Sequence, residues 1–395
     1  MEETGLAPLP VPTGPEVATL LPRLRAALDG SGPALLPYAV GSPPPHLTPG
    51  DVPDGLALAV GTSGSTGNPK RAALTAEALR TSARATHERL GGEGRWLLAM
   101  PAQHVAGLQV LVRSIVAGTE PVLLDLTGGF GVRDFAEAAV ETGRGWSGPG
   151  YTALVPTQLR RLLADPVGVT ALRRFDGILL GGAATAPAVL ARARGAGIRV
   201  LTTYGMSETA GGCVYDGRPL SPTRVRVGTD GRISLGGGTL AHGYLGRPDL
   251  TSAAFRTDAD GTRWFRTDDL GRLEEGVVTV EGRVDDLVNT AGMKVAPRLV
   301  EEALVAHVTG VLEAVVVGTP DPEWGEAVSA ALVLTEPGTP PTVRDVRDRL
   351  RGILPEHALP HRLLTLDRLP LRGPGKPDRA AVRALFVSGA PKWQD

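Results

Sequence analysis

Lysine is nearly missing from this chain: of 41 basic residues only four are lysine, at positions 70, 294, 376 and 392. Asparagine occurs twice, at 68 and 289, and cysteine once, at 213. The single Cys213 excludes an internal disulfide framework and any cysteine-cluster metal site. The seven histidines are scattered without metal-ligand spacing. No apolar run approaches the ~18 residues of a membrane-spanning helix. The first residues, Met-Glu-Glu-Thr, are acidic where a secretory leader is basic. Net charge is −1, so no broad basic face is expected for nucleic acid or an anionic membrane. These absences predict a cytoplasmic protein with small-molecule partners, no nucleic acid and no integral membrane association. They leave its oligomeric state open, a homo-oligomer included.

What remains of the scarce residues is clustered. Lys70 closes Gly61-Thr-Ser-Gly-Ser-Thr-Gly-Asn-Pro-Lys70, Lys294 lies in Ala291-Gly-Met-Lys294, and Lys376 in Gly373-Pro-Gly-Lys376. Both asparagines fall in or beside these segments. Arginine serves wherever a general positive charge suffices. A lysine kept against that background points to a compact, strongly hydrated point charge that a planar guanidinium does not replace.

At 395 residues the chain is long for one core, which predicts two domains. Residues 1–50 are Pro-rich, with one helix expected over Glu16–Leu28. From Leu56 onward, short apolar runs alternate with amphipathic ones. Strands are expected at Leu56–Val60, Trp96–Met100, Pro121–Asp125, Tyr151–Leu154, Gly177–Leu180 and Arg199–Thr203. Helices are expected from Thr75 to about Leu90 and over Val105–Ala117, with Pro156 and Pro187 suited to first helical turns. This alternation predicts an α/β protein with mainly parallel sheets flanked by helices. After about Val225 the text turns to short β segments with Asp-Gly and Glu-Gly turns, a β-rich subdomain. A small mobile α+β C-terminal domain follows. We expect domains at 1–282 and 283–395, with the hinge at 283–286 around Asp285.

The loop Gly61–Lys70 follows a strand. Its glycines let backbone N–H groups approach a phosphate, and its hydroxyls and lysine add donors. It is not a Walker A loop, because Asn68-Pro69 separate the last glycine from the lysine. Thr62, Ser63, Gly64, Ser65, Thr66, Gly67 and Lys70 are the candidate phosphate contacts. Cys213 reads as a small buried apolar residue.

These residues resemble the phosphate loop of the adenylate-forming superfamily, which holds acyl-CoA ligases, luciferases and peptide-synthetase adenylation domains. Further motifs follow in that superfamily's order. Gly181-Gly182-Ala183 resembles its adenine segment, and Tyr204-Gly205-Met206-Ser207-Glu208-Thr209 its aromatic-Gly-x-Ser/Thr-Glu motif. Phe265-Arg-Thr-Asp-Asp269-Leu resembles its ribose motif, Gly282-Arg283-Val-Asp285-Asp286 its hinge, and Gly373–Lys376 its C-terminal lysine loop. Position 268 is Asp where the family commonly has Gly. The chain has about a hundred fewer residues before the phosphate loop than is usual there.

The resemblance implies an ATP-dependent acid–CoA ligase using ATP, Mg²⁺ and coenzyme A. It makes Lys376, Glu208 and Ser207 catalytic, with Glu208 the magnesium ligand. Gly181, Gly182, Ala183, Tyr204, Gly205, Thr209, Asp269 and Arg283 join the phosphate loop at the nucleotide. Gly292 and Lys294 fall on the CoA side. His104, Gly211, Gly212, Tyr215 and Thr152 become candidates for the carboxylic acid. The stretch Gly211–Gly217 resembles that of superfamily members acting on an aromatic acid with a keto group and a second carboxylate. Rival readings are a ligase for another aryl or medium-chain acid, carrier loading of an amino acid, and an inactive nucleotide-binding sensor.

Overall fold

The computed structural model describes residues 5–45, 52–62, 70–335, 340–372 and 376–388. The first sheet contains β1 (Leu6–Val11), β2 (Ala34–Ala39), β3 (Leu56–Gly61) and β4 (Arg71–Thr75), with α1 (Leu21–Asp29) between β1 and β2. β1, β2 and β3 run parallel and β4 returns antiparallel. The Pro-rich start therefore holds two strands that composition hid, and its helix is split into a 3₁₀ turn over Gly14–Leu20 and α1. Pro8 and Pro10 are accommodated because β1 is an edge strand, where a missing N–H costs little. β3 is Leu-Ala-Leu-Ala-Val, buried throughout, as a central strand demands.

Thr75 ends β4 and starts α2 (Ala76–Leu90). Its hydroxyl accepts from Ala78 N–H at 3.1 Å, and Gly91 stops the helix in the left-handed region. α2 packs beside α3 (Val105–Val116), and both sit in the main core with Leu58, Leu74, Leu79, Leu108, Leu111 and Leu201.

The second sheet holds β5 (Arg95–Leu98), β6 (Val122–Leu123), β7 (Gly150–Leu154), β8 (Gly177–Leu180), β9 (Val200–Met206), β10 (Gly211–Tyr215) and β11 (Arg218–Pro219), in spatial order β6-β5-β7-β8-β9-β10-β11. The first five of that order are parallel and the last two antiparallel. Helices α4 (Val132–Gly143), α5 (Pro156–Leu163), α6 (Pro166–Leu172) and α7 (Pro187–Gly195) build a second core with it.

Next comes an antiparallel sheet of β12 (Arg224–Val227) and β13 (Arg232–Gly236). The chain then leaves it for β14 (Gly243–Tyr244), which joins β4 in the first sheet, and α8 (Pro248–Ala254). It returns as β15 (Phe255–Thr257), β16 (Arg263–Glu274) and β17 (Val277–Arg283). A 3₁₀ turn over Val284–Asp286 leads onward. The last sheet is built from β18 (Val288–Thr290), β19 (Met293–Val295), β20 (Val311–Asp321) and β21 (Gly325–Leu334), with α9 (Pro297–His307) and α10 (Val343–Leu350) on it and β22 (Arg362–Thr365) beside β21. The hairpin β23 (Leu371–Arg372) and β24 (Lys376–Pro377) precedes α11 (Arg379–Val387). These last elements have apolar cores of their own. Arg379 bridges Asp286 and Glu301, and an Arg160–Glu313 ion pair joins α5 to β20. Among the described residues no helix is long and apolar enough to cross a membrane.

Candidate active site

The antiparallel return from β9 to β10 builds the centre of the site. Between the strands lies a 3₁₀ turn, Ser207–Thr209, closed by Ala210 at φ +52°. A side chain at Gly205 would place its Cβ 2.1 Å from the Gly211 carbonyl, so only glycine lets the two strands approach this closely. Thr209 holds the turn from inside: its hydroxyl donates to the Gly211 carbonyl at 2.7 Å and accepts from Met206 N–H at 2.9 Å. Thr209 is fully buried, and its side chain supports the turn. Ser207 donates to the Gly61 carbonyl at 3.2 Å, which ties the turn to the neck of the Gly/Ser loop. Thr62 N–H donates to the Lys70 carbonyl at 2.8 Å across that neck. Ser63, Gly64, Ser65, Thr66 and Gly67 lie outside the described residues.

Glu208 is only 8% exposed, and Tyr244 donates its hydroxyl to Glu208 Oε1 at 2.8 Å. Burial raises the carboxyl pKa, while the Tyr244 hydrogen bond and the charges of Lys70 and Arg283 pull it back. Lys70 Nζ stands 5.4 Å over the Tyr244 ring. Across the cleft, Asp269 on β16 is 7% exposed. It accepts from the Tyr204 hydroxyl at 2.6 Å and from Arg283 at 3.2 Å. Burial raises the Asp269 pKa, against the pull of these two donors. Arg283 grips Asp285 with two bonds of 2.8 and 3.0 Å. Its burial opposes the charge, but Asp285, Asp269 and Asp268 together raise its pKa. The unusual Asp268 is thereby explained: its carboxylate pairs with Arg232 and lies 3.7 Å from Arg283. Gly181, Gly182 and Ala183 follow β8 directly, with Gly182 at φ +84°.

Lys376 reaches this cleft from β24, at the far end of the chain. Burial lowers its pKa, as does the charge of Arg283, whereas Asp269 and Glu208 raise it. The half-buried His104 precedes α3 as its N-cap residue. Burial and the Lys376 charge both depress the His104 pKa, which keeps the ring neutral. Residues separated by up to 272 positions in sequence, His104, Glu208, Asp269, Arg283 and Lys376, thus act on one another electrostatically.

Two of the expected acid contacts are fully buried. Tyr215 is 0% exposed, its hydroxyl bonded to Thr86 at 2.9 Å and to Arg113 at 3.5 Å. Thr152, equally buried, donates to the Leu97 carbonyl at 3.0 Å and joins β7 to β5. The alternation of strand side chains turns both inward. Gly292 and Lys294 are exposed on the β18–β19 hairpin, whose partner is β21. Gly211, at φ +96°, lies beneath α3: a Cβ there would be 3.2 Å from Gln109 Cγ. Cys213 is buried and its thiol pKa is pushed up to about 12 by burial, which leaves it unreactive as a nucleophile.

Two residues escaped the sequence reading. Tyr244 sits in a stretch with no spacing relation to Glu208. Arg113 sits one turn beyond Gln109 on an apolar helix and reads as one arginine among many. In the structure Arg113 is 3% exposed, stacked 5.0 Å over the Trp96 ring, and pairs with no carboxylate among the described residues. Burial lowers its pKa. Arg113 Nε, Gln109 Oε1 and His87 Nδ1 are all buried without hydrogen-bond partners.

Among the described residues no group of three or more His, Cys, Asp or Glu could form a metal cage. The donor set still suits Mg²⁺, which is commonly held by one or two carboxylates and substrate phosphates. Tyr244 occupies Oε1 of Glu208, leaving the second oxygen of a hard carboxylate.

A model of the AMP-binding enzyme family matches residues 16–239, and one of the AMP-binding enzyme C-terminal domain matches residues 299–376. A probable 2-succinylbenzoate–CoA ligase from Mycobacterium tuberculosis is 45% identical over 392 residues, covering 97% of this chain and 99% of that protein. The 2-succinylbenzoate–CoA ligase of Enterococcus faecalis is 31% identical, covering 82% of this chain and 68% of that protein. Among solved structures, o-succinylbenzoate CoA synthetase from Bacillus subtilis in complex with the acyl-adenylate intermediate OSB-AMP superposes with a TM-score of 0.72 at 26% identity, covering 96% of this chain and 83% of the other. The same synthetase with ATP and magnesium ion gives a TM-score of 0.70 at 26% identity, with coverages of 92% and 82%.

Proposed function

The chain belongs to the AMP-binding enzyme family and is an AMP-forming acid–CoA ligase; from that premise we propose that its acid is 2-succinylbenzoate, converted to the CoA thioester through an acyl-adenylate. In the first half-reaction an oxygen of the acid's carboxylate attacks the α-phosphorus of ATP, and the bond to pyrophosphate breaks. In the second the CoA thiol attacks the adenylate carbonyl, and AMP leaves with the bonding pair. The reading rests above all on one observation: Lys376, from the C-terminal hairpin, acts on the same cluster as Glu208, Asp269 and His104.

In this reading Lys70 and Ser207 donate to phosphate, with Thr62, Ser63, Gly64, Ser65, Thr66 and Gly67 as further candidate donors. Tyr204, Gly181, Gly182, Ala183 and Gly205 border adenine, and Asp269 with Arg283 holds the ribose. Glu208 holds Mg²⁺, which when bound offsets phosphate charge. Lys376 neutralises charge that builds between carboxylate and α-phosphate, a role a preorganised cation fills without reorganisation. Residues 1–282 hold ATP and acid, and residues 283–395 turn about Asp285 at 283–286 between half-reactions, bringing Gly292 and Lys294 toward CoA. Use of ATP and CoA places the enzyme in the cytoplasm.

Arg113 favours a second carboxylate on the acid. A guanidinium 3% exposed with an unpartnered Nε, one turn beyond Gln109 on α3, is a costly arrangement unless an anion meets it. The test is pyrophosphate release and thioester formation with a panel of acids. 2-Succinylbenzoate should exceed benzoate, acetate and fatty acids in kcat/KM by up to about 10⁴–10⁵, the range reached when the wrong substrate leaves buried polar groups unpaired. Equal efficiency with simple acids defeats the substrate assignment.

A further inference from the structure

Tyr244 touches two of the proposed functional residues at once. Its hydroxyl donates to Glu208 Oε1 at 2.8 Å, and its ring lies under Lys70 Nζ at 5.4 Å. The surrounding backbone fixes it there. β14 pairs antiparallel with β4, Gly243 opposite Ala73 and Tyr244 opposite Ala72. Leu245 N–H donates to the Arg71 carbonyl at 2.9 Å, one residue past Lys70. Ala241 N–H donates to the Glu208 carbonyl at 2.8 Å, so this segment holds Glu208 by backbone and by side chain. Thr251 Oγ1 accepts from Tyr244 N–H at 2.9 Å, and Phe255 meets the Tyr244 ring edge-on at 5.8 Å. A ring anchored on so many sides has little rotameric freedom.

We propose that Tyr244 is the positioning residue of the adenylation site: its hydroxyl holds Oε1 and so aims the other oxygen of Glu208, and its ring sets the height of Lys70, registering carboxylate and phosphate-loop cation against each other. The inference rests on the assignment of Glu208 and Lys70 above. Physically, a carboxylate this deeply buried needs a donor to hold its charge and fix its rotamer. A lysine above an aromatic face is attracted by the ring quadrupole without losing its N–H donors to a carboxylate. One side chain meets both needs because β14 crosses from the third sheet to the first between them.

The experiment separates the two functions of the ring and hydroxyl. Tyr244→Phe keeps the ring, and Tyr244→Leu removes both. Each is made alone, with Glu208→Gln, and with Lys70→Ala. Readouts are pyrophosphate release, affinity for a non-hydrolysable ATP analogue without metal by calorimetry, and Mn²⁺ affinity in that complex by electron paramagnetic resonance. Tyr244→Phe should lower kcat about 10- to 100-fold, the size of one lost charge-assisted hydrogen bond, and weaken Mn²⁺ similarly. Its metal-free nucleotide affinity should stay within about threefold. The Mn²⁺ effect should vanish in the Glu208→Gln background and persist with Lys70→Ala. Tyr244→Leu should further weaken metal-free nucleotide binding, and that increment should vanish with Lys70→Ala. Additive effects in both backgrounds, or a Tyr244→Phe enzyme equal to wild type, overturn the proposal. Full activity in Glu208→Gln alone instead defeats the parent assignment.

Discussion

Replacing Arg113 by methionine should separate stability from substrate recognition. Methionine keeps an unbranched apolar stem and removes the guanidinium that stacks on Trp96. In the ligand-free protein Arg113 carries a charge at 3% exposure with no carboxylate among the described residues. Exchanging buried charged groups for apolar ones of similar volume is neutral or stabilising by about 1–4 kcal/mol. Against this stands the lost cation–π contact with Trp96, up to about 2 kcal/mol when desolvated. The Tyr215 bond at 3.5 Å is too long to add much. The net should fall between about 2 kcal/mol against the variant and about 4 kcal/mol in its favour. With the dicarboxylic acid, truncation leaves a buried anion unpaired, which costs about 3–5 kcal/mol. That corresponds to a loss of kcat/KM between roughly 10²-fold and several thousand-fold. The assay compares 2-succinylbenzoate with an analogue whose side chain ends in methyl, alongside thermal unfolding. The loss should fall on the diacid alone, and the KM for ATP should hold. An equal loss on both acids, or a large fall in Tm, refutes the argument and makes Arg113 a structural residue.

Lys376→Ala should slow pyrophosphate release by about 10²-fold or more, the effect of losing one preorganised donor to the transition state; thioester formation from pre-made adenylate should remain near wild type, and equal loss in both halves sinks the role. Asp285→Pro fixes φ near −65° at the turn after Arg283 and removes that residue's N–H, so adenylation should persist while CoA transfer collapses; single-turnover assays of each half-reaction decide. His87 is buried, with its pKa lowered to about 4 by burial and by Arg113. The unfolded state therefore binds more protons between pH 6.5 and 4, and stability should fall as pH drops through that window. Equilibrium urea unfolding should show this slope in the wild type and a shallower one in His87→Gln.

Much of the site was legible because the chemistry sits in residue types the chain otherwise avoids. Lys70 and Lys376 stood out against an arginine background, and Glu208, Asp269 and Arg283 came from ordered motifs. Strand–helix alternation made the second sheet legible, since buried parallel strands such as Gly177–Leu180 leave unbroken apolar runs. The prolines of residues 8–37 obscured β1 and β2, whose strand character comes from a neighbour's hydrogen bonds. Tyr215, read from the Gly211–Gly217 stretch as an acid contact, and Thr152, a further candidate, are turned into the core by strand register.

Sequence alone determined which candidate groups the chain carries: a Gly/Ser loop, two carboxylates in ordered motifs, a late lysine and the order in which they occur. Those are properties of side-chain types and local spacing. Which groups meet was decided only in three dimensions. The Tyr244–Glu208 bond and the Lys376–His104 proximity each join elements of different sheets or domains. Such pairings depend on packing and register summed over the whole fold, and a pattern within one segment does not encode them.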